Sequence, residues 1–365
     1  MSIQSTHRPG RSHPALSRRA LLAGTAAGAV GLSLAACGKG KKAGSQADSK
    51  TVTVVTHDSF HVSENLQKAF TSETGYTLKI ATSGDAGALV NKLVLTKDAP
   101  LGDAVFGIDN TYATRALDQG VIDTSATVTL PKGAESYVVA DTPALAPIDV
   151  GDVCLNIDTG YFTGKGLTPP ATFEDLTKPE YKGLLVAINP TNSSPGMAWL
   201  LATIGHFGAG SFAGYWKQLM ANGARIAEDW SAAYETDFSG SGKGTYPIVV
   251  SYASSPSFTV SKDKSSSSTS ALLDTAFRQV EYAGVLKGAA NPEGGKAFVT
   301  WMLSKAVQED IPGQMYMYPV LPDAALPEAL TKFGPLSKSP VKVEPKEITT
   351  HREEWLNTWT EAVGK

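Results

Sequence analysis

Thr51-Val52-Thr53-Val54-Val55-Thr56-His57-Asp58-Ser59-Phe60-His61 sets the pattern for the whole chain. A β-branched run reads as a buried strand, and it stops abruptly in polar residues. Ser63 to Glu73 then places Leu66, Ala69 and Phe70 on one face of a helix, which Gly75 ends. Tyr76 to Thr82 is a second strand. Ser83-Gly84-Asp85-Ala86-Gly87 opens a second helix, apolar at Leu89, Val90, Leu93 and Val94. Asp103 to Ile108 is a third strand, ending in Asp109-Asn110. The order β-α-β-α-β predicts an α/β fold with a mainly parallel sheet and one functional edge. Ligands of such sheets sit beyond the carboxyl ends of the strands. His57, Asp58, Ser59, Asp85, Ala86, Asp109 and Asn110 all fall there.

Further along, Asp149 to Ile157 is a strand approached through Pro143 and Pro147, and it reads as the crossing into a second lobe. Thr172 is placed to cap one helical turn. Leu184 to Ile188 is a strand. Asn189-Pro190-Thr191-Asn192-Ser193-Ser194-Pro195-Gly196 leads from it into an apolar helix at Met197 to Ile204. Ser193 and Ser194, like Ser83 to Gly87, stand where helix N–H groups are unpaired and suit an anion; plain capping explains the same residues. Ser261 to Ser270 is a polar loop, Phe277 to Leu286 a strand-like run, and Pro292 to Ala306 a helix. Ile311 to Val320 reads as a loop whose alternation puts Tyr316 and Tyr318 on one side. Glu347 to Val363 is a helix, with Trp355 and Trp359 as packing residues.

One stretch is unusually aromatic. Glu228-Asp229-Trp230-Ser231-Ala232-Ala233-Tyr234 precedes a Gly/Ser-rich turn, the short strand Ile248 to Val250, and Ser251-Tyr252-Ala253-Ser254-Ser255-Pro256-Ser257-Phe258. The strand would deliver Tyr252 and Phe258 to the same edge as Trp230 and Tyr234, with Glu228 and Asp229 beside them. Aromatic faces and carboxylates both attract positive charge, so this set suits a flat cation. Aromatic residues of a core have the same spacing, and the spacing does not choose.

The N-terminal part has a different character. Ser17-Arg18-Arg19-Ala20-Leu21-Leu22 is a twin-arginine signal, followed by small apolar residues to Ala36. Leu34-Ala35-Ala36-Cys37 resembles the lipobox of bacterial lipoproteins, which implies cleavage before Cys37 and a lipid on its thiol. Residues 1–36 are then a signal and 37–50 a flexible tether. Of 2 cysteines in 365 residues, Cys154 is left in a strand-like apolar setting as a buried thiol. The remaining chain has a length typical of two domains. The full sequence has a net charge of −3 with both signs mixed, without the basic patch of a nucleic-acid binder.

Pro170-Ala171-Thr172-Phe173-Glu174-Asp175-Leu176 with Pro179-Glu180-Tyr181-Lys182-Gly183 resembles the second-lobe entrance of bacterial solute-binding proteins of ABC importers. Within them, the chain is most similar to the thiamine-binding proteins. The shared positions are His57 to Phe60, Gly107 to Asn110, Asn189-Pro190 with Ser193 to Gly196, Trp230 to Tyr234, Ser251-Tyr252 with Ser255-Pro256, and Met317 to Val320. The resemblance implies a two-lobed, type II periplasmic-binding fold with a hinge of two crossing strands. Residues 51–148 and 291–365 would form lobe 1, and 149–290 lobe 2. It implies capture of thiamine or its phosphates, delivery to ABC permease subunits, no cofactor, no catalysis, and a monomer lipid-anchored outside the cytoplasmic membrane. By position, Trp230, Tyr252 and Phe258 would enclose the two rings. Asp85, Ala86 and Ser193 would face the phosphate or hydroxyethyl end. Tyr316 stands where the family carries tryptophan, and His57 where it carries tyrosine. A charged His57 would oppose a thiazolium, so binding is expected to weaken below about pH 6.

Two other readings stay open. His57 and His61 have helical spacing, and Tyr316 with Tyr318 could supply phenolates, which suits a metal- or iron-binding member of the same fold. An exported hydrolase would need a nucleophile elbow or a zinc-binding His-Glu-x-x-His, and the chain shows neither.

Overall fold

A computed structural model describes residues 50–364 apart from 242. The signal, the tether and Cys37 lie outside the described residues. Within them, β1 (Thr51–Thr56), α1 (Glu64–Thr74), β2 (Thr77–Thr82), α2 (Ala86–Leu95), β3 (Ala104–Asp109) and α3 (Ala113–Asp118) form three strand–helix units. Next come β4 (Leu145–Asp158), α4 (Thr159–Lys165), β5 (Leu185–Ile188), α5 (Ser194–Phe207), α6 (Phe212–Ala221), β6 (Arg225–Ala227) and β7 (Ile248–Tyr252). Then β8 (Thr269–Val285), α7 (Pro292–Met302), α8 (Lys305–Gln314), β9 (Tyr318–Pro319), α9 (Glu328–Phe333) and α10 (Pro345–Val363) complete the chain.

The sheet runs β2-β1-β3-β8-β4-β7-β5-β6, with β9 on β4. Its two ends are parallel: β1 with β2 and β3, and β5 with β6 and β7. Its middle is antiparallel, through β3–β8, β4–β8 and β4–β7. The expectation of a mainly parallel sheet is therefore corrected. The long central strands had been legible only in part, as Asp149–Ile157 and Phe277–Leu286. Both extend further, because each serves two halves. β8 pairs with β3 through Glu281–Val285, and β4 pairs with β7 through Val153–Ile157. The β4–β8 register shifts between Pro147 and Asp149 and again between Val153 and Leu155. Such irregularities bend and twist a strand pair, and here they bracket the passage from one half of the sheet to the other.

Residues of β3, β4 and β7 are almost wholly buried, as strands covered on both faces should be. Beneath the second half, Trp199, Trp216 and Trp359 pack edge to face, at 5.2 and 5.7 Å between ring centroids. Trp359 belongs to α10, so this helix lies on α6 in the second half, and it also reaches α3 in the first. Trp355 and Trp359 are buried packing residues. Cys154 is buried and unpaired among the described residues, and burial pushes its thiol up.

Next to the passage, Asp152 is fully buried and accepts from Arg278 Nε, from Arg278 Nη2 at 3.1 Å and from the Ser337 amide at 2.6 Å. Asp152→Asn keeps the shape but weakens the charged contacts. It is expected to lower unfolding free energy by about 1.5 kcal/mol, read as a shifted urea midpoint with unchanged m.

Candidate functional site

The carboxyl ends of β1 and β7 face one cleft of about 270 Å³. β1 delivers His57, Asp58 and Ser59 to it, and the start of α2 delivers Asp85 and Ala86. α5 contributes Ser194 and Pro195 at its N-terminus. Trp230, Ser231 and Glu235 follow β6, Tyr252 ends β7, and Glu281 projects from β8. Gln314, Met315, Tyr316 and Met317 close the remaining side.

Trp230 is the flat wall. Its indole Nε1 donates to Ser251 Oγ at 3.0 Å, and Tyr234 stacks behind it at 5.1 Å and 10°. Tyr234 thus orients the wall from outside the cleft lining. Tyr234 lies in a π-helical turn, Ala232–Asp237, a local widening of the helix often found at functional sites. Phe258 does not line the cleft either. It packs on Tyr316, centroids 3.6 Å apart, so Tyr316 presents the surface and Phe258 backs it. Tyr316 has φ 63°, a left-handed conformation rare for a bulky residue. That turn breaks the alternation read from the sequence: Tyr318 instead donates to the Gly334 carbonyl. Ile311 to Gln314 also belongs to α8 rather than to a loop, since Pro312 and Gly313 fall within its last turn.

The cleft carboxylates are Asp58, Asp85, Glu235 and Glu281, and its lining has no lysine or arginine. Glu228 and Asp229, expected beside the aromatics, do other work. Glu228 holds Asn192 and Asn189 in the adjoining loop, and Asp229 accepts from the Ala232 amide at 2.8 Å. Asp109 and Asn110 are likewise structural. Asp109 is buried beneath the site, where desolvation, offset in part by Thr111, pushes its carboxyl up to about 7. Asn110 bonds the Arg278 carbonyl and the Val280 amide, each at 3.0 Å, which pins β3 to β8.

Both anion cradles suggested by the sequence converge on one side chain. Asp85 Oδ1 accepts from the Ala86 amide at 2.6 Å and the Ser194 amide at 3.3 Å, and the Ser193 hydroxyl also bonds Asp85. Ser193 therefore acts behind the lining. Burial raises the Asp85 carboxyl, while these donors and His57 hold it down in part.

His57 sits where the backbone of Gly107 leaves room. A Cβ on Gly107 would come within 2.0 Å of the imidazole, and its φ of 95° suits glycine. His57 Nδ1 accepts from the Ser59 amide at 3.1 Å, and Nε2 lies 3.3 Å from Glu281 Oε1. Burial opposes a charge on this ring, yet Glu281, with Asp85 and Asp58, outweighs it and lifts His57 above its usual range. Glu281 was not singled out from the sequence. Its signal was there: Gln279 and Glu281 are polar residues at alternate positions, on the same face of the strand-like run Phe277 to Leu286.

The profile of the bacterial extracellular solute-binding proteins matches residues 103–334. A thiamine-binding periplasmic protein of Salmonella typhimurium is 27% identical over 326 residues, 86% of this chain and 94% of the relative. Its counterpart in Escherichia coli has the same identity and coverage. Among solved structures, a periplasmic thiamin binding protein superposes with TM-score 0.74 at 25% identity, over 86% of this chain and 96% of that one. Iron-bound HitA from Pseudomonas aeruginosa shares the fold, with TM-score 0.67 and 20% identity over 86% of this chain and 99% of that one.

Proposed function

This chain belongs to the family of bacterial extracellular solute-binding proteins, and from that premise we propose that it captures thiamine between its two lobes for an ABC permease. The family binds solutes outside the cytoplasm and performs no chemistry on them. The observation that carries the ligand reading is the cleft itself: an indole wall and four carboxylates, with no lysine or arginine in the lining. A flat cation gains from both, through ring quadrupole and charge. Thiamine is such a cation, and the relatives named for it support the choice. The twin-arginine signal and lipobox make the exported form a lipoprotein held at Cys37.

An iron site fits less well. Tyr316 faces the cleft while Tyr318 points to Gly334, so two phenolates do not converge. His57 and His61 do not share a helix.

Isothermal titration with thiamine, thiamine monophosphate and thiamine pyrophosphate tests the proposal. Sub-micromolar thiamine binding is the expected result. No heat from folded protein with any of the three would sink it.

A further inference from the structure

His57 stands under two contrary demands. The carboxylates around it call for a positive charge, and the Ser59 amide calls for a neutral ring. Glu281 (β8) faces its Nε2, Asp58 lies on its own loop and Asp85 approaches from α2, while Asp109 at the end of β3 interacts with Glu281 and Asp85. Asp149 of β4 stands opposite Glu281 in the strand register, fully buried. Glu235 and Tyr316 line the same cleft, and Tyr252 of β7 donates its phenol to Gln279. Yet Nδ1 accepts from a backbone N–H, which it can do only without a proton of its own. Nδ1 is thus without a proton in this geometry, while Nε2 approaches Glu281 Oε1 to 3.3 Å without completing a hydrogen bond.

Asp149 adds to the same imbalance. Neither of its oxygens has a donor in the structure, and its one close polar neighbour is the Glu281 carboxylate. Two carboxylates facing each other in a dry strand pair do not both ionise. Burial and then Glu281 push Asp149 well above the usual carboxyl range. Glu281 is left as the group that reaches the cleft and needs a counter-charge.

Resting on the thiamine reading above, we propose that Glu281 selects the ligand's positive charge, and that the ligand replaces a proton on His57. The neutral ring belongs to the form with the lobes in contact through Ala88 and Asn192; before capture, with the lobes apart, Glu281 facing Nε2 at 3.3 Å holds the imidazole as a cation. On capture, the thiazolium supplies that charge, the Nδ1 proton passes to solvent, and Nδ1 takes the Ser59 amide instead. One positive charge enters and one proton leaves, so the net charge of the site is conserved. Discrimination follows: a neutral aminopyrimidine, lacking the thiazolium, cannot make the exchange.

The test is titration calorimetry of the full chain with thiamine at pH 6.5, in buffers of different ionisation enthalpy. The slope of observed heat against that enthalpy gives protons released per ligand. Between 0.5 and 1 proton is expected by linkage, falling toward zero at pH 9, and no release is expected from His57→Gln. Because His57 is raised, affinity falls as pH drops through a range above that of ordinary histidine, higher than the sequence suggested. For Glu281→Gln, the ratio of thiamine affinity to that of hydroxymethyl-aminopyrimidine is expected to fall at least tenfold. Thiamine binding with buffer-independent heat, or an unchanged ratio, overturns this proposal alone. If the unsubstituted protein binds no thiamine, the ligand reading falls first and takes this one with it. The buffer series uses unsubstituted protein, so it decides even if a variant fails to fold.

Discussion

Trp230→Ala is expected to weaken binding of the proposed thiamine ligand by about a hundredfold, the largest single loss expected from the site. Against a bound thiazolium the indole would supply a ring face worth about 2 kcal/mol and apolar area worth somewhat less. Together these correspond to about two decades in Kd. The loss should appear mainly in the dissociation rate, since the wall holds the ligand rather than guiding it in. Tyr234 separates this contact from mere bulk. It supports the indole from behind at 5.1 Å without lining the cleft. Tyr234→Leu should therefore cost a few-fold through a looser wall, well short of Trp230→Ala. Equal losses in the two variants would assign the effect to packing instead of to ligand contact.

The second large effect lies outside the ligand's reach. Gly87 stands in the first turn of α2, where a Cβ would approach the Asn192 carbonyl and the Tyr112 hydroxyl, both to 2.6 Å. At this point the lobes touch directly: the Ala88 amide donates to Asn192 O at 3.2 Å and Tyr112 Oη to Pro190 O at 3.2 Å. Gly87→Val is expected to prevent full closure and raise Kd about thirtyfold, an overpacking cost of about 2 kcal/mol. The clash with the Asn192 carbonyl arises only when the lobes meet, but the Tyr112 hydroxyl lies in the same lobe as Gly87, so a modest fall in the thermal midpoint of the unliganded protein is expected as well. Small-angle scattering supplies the independent readout: thiamine should compact the unsubstituted protein and not the variant. A variant that compacts normally would show that the α2 contact does not govern closure.

Much of this architecture was readable from local pattern. β1, β2 and β3 obey simple rules, because each is short and flanked by turn residues. The helix starts at Asp85 and Ser193 carried their caps in plain sight. What escaped was whatever depends on partners distant in sequence. β4 and β8 were read without their N-terminal ends, because Pro147 interrupts one pattern and polar residues the other, while Leu145–Pro147 become strand by pairing with Tyr282–Gly284 and Thr269–Leu272 by pairing with Leu155–Asp158. Tyr316 and Tyr318 alternated on paper, and one left-handed residue turned them apart. Tyr234 and Phe258 were found as aromatics of the site, but their places behind Trp230 and Tyr316 needed three dimensions. Glu281 was passed over because a single acid in a strand is usually a solvent-facing residue, and here it faces a cleft.

The C-terminal helix changes how the lobes can part. α10 lies along α6 while Arg352 rests over the ring of Tyr112, 4.3 Å from its centroid, at the start of α3. A free swing about β4 and β8 would tear that guanidinium from its ring. Opening that keeps this contact would slide α3 along α10, a shear coupled to the bend of two strands. The reach of one arginine side chain thereby becomes the stop that limits the stroke.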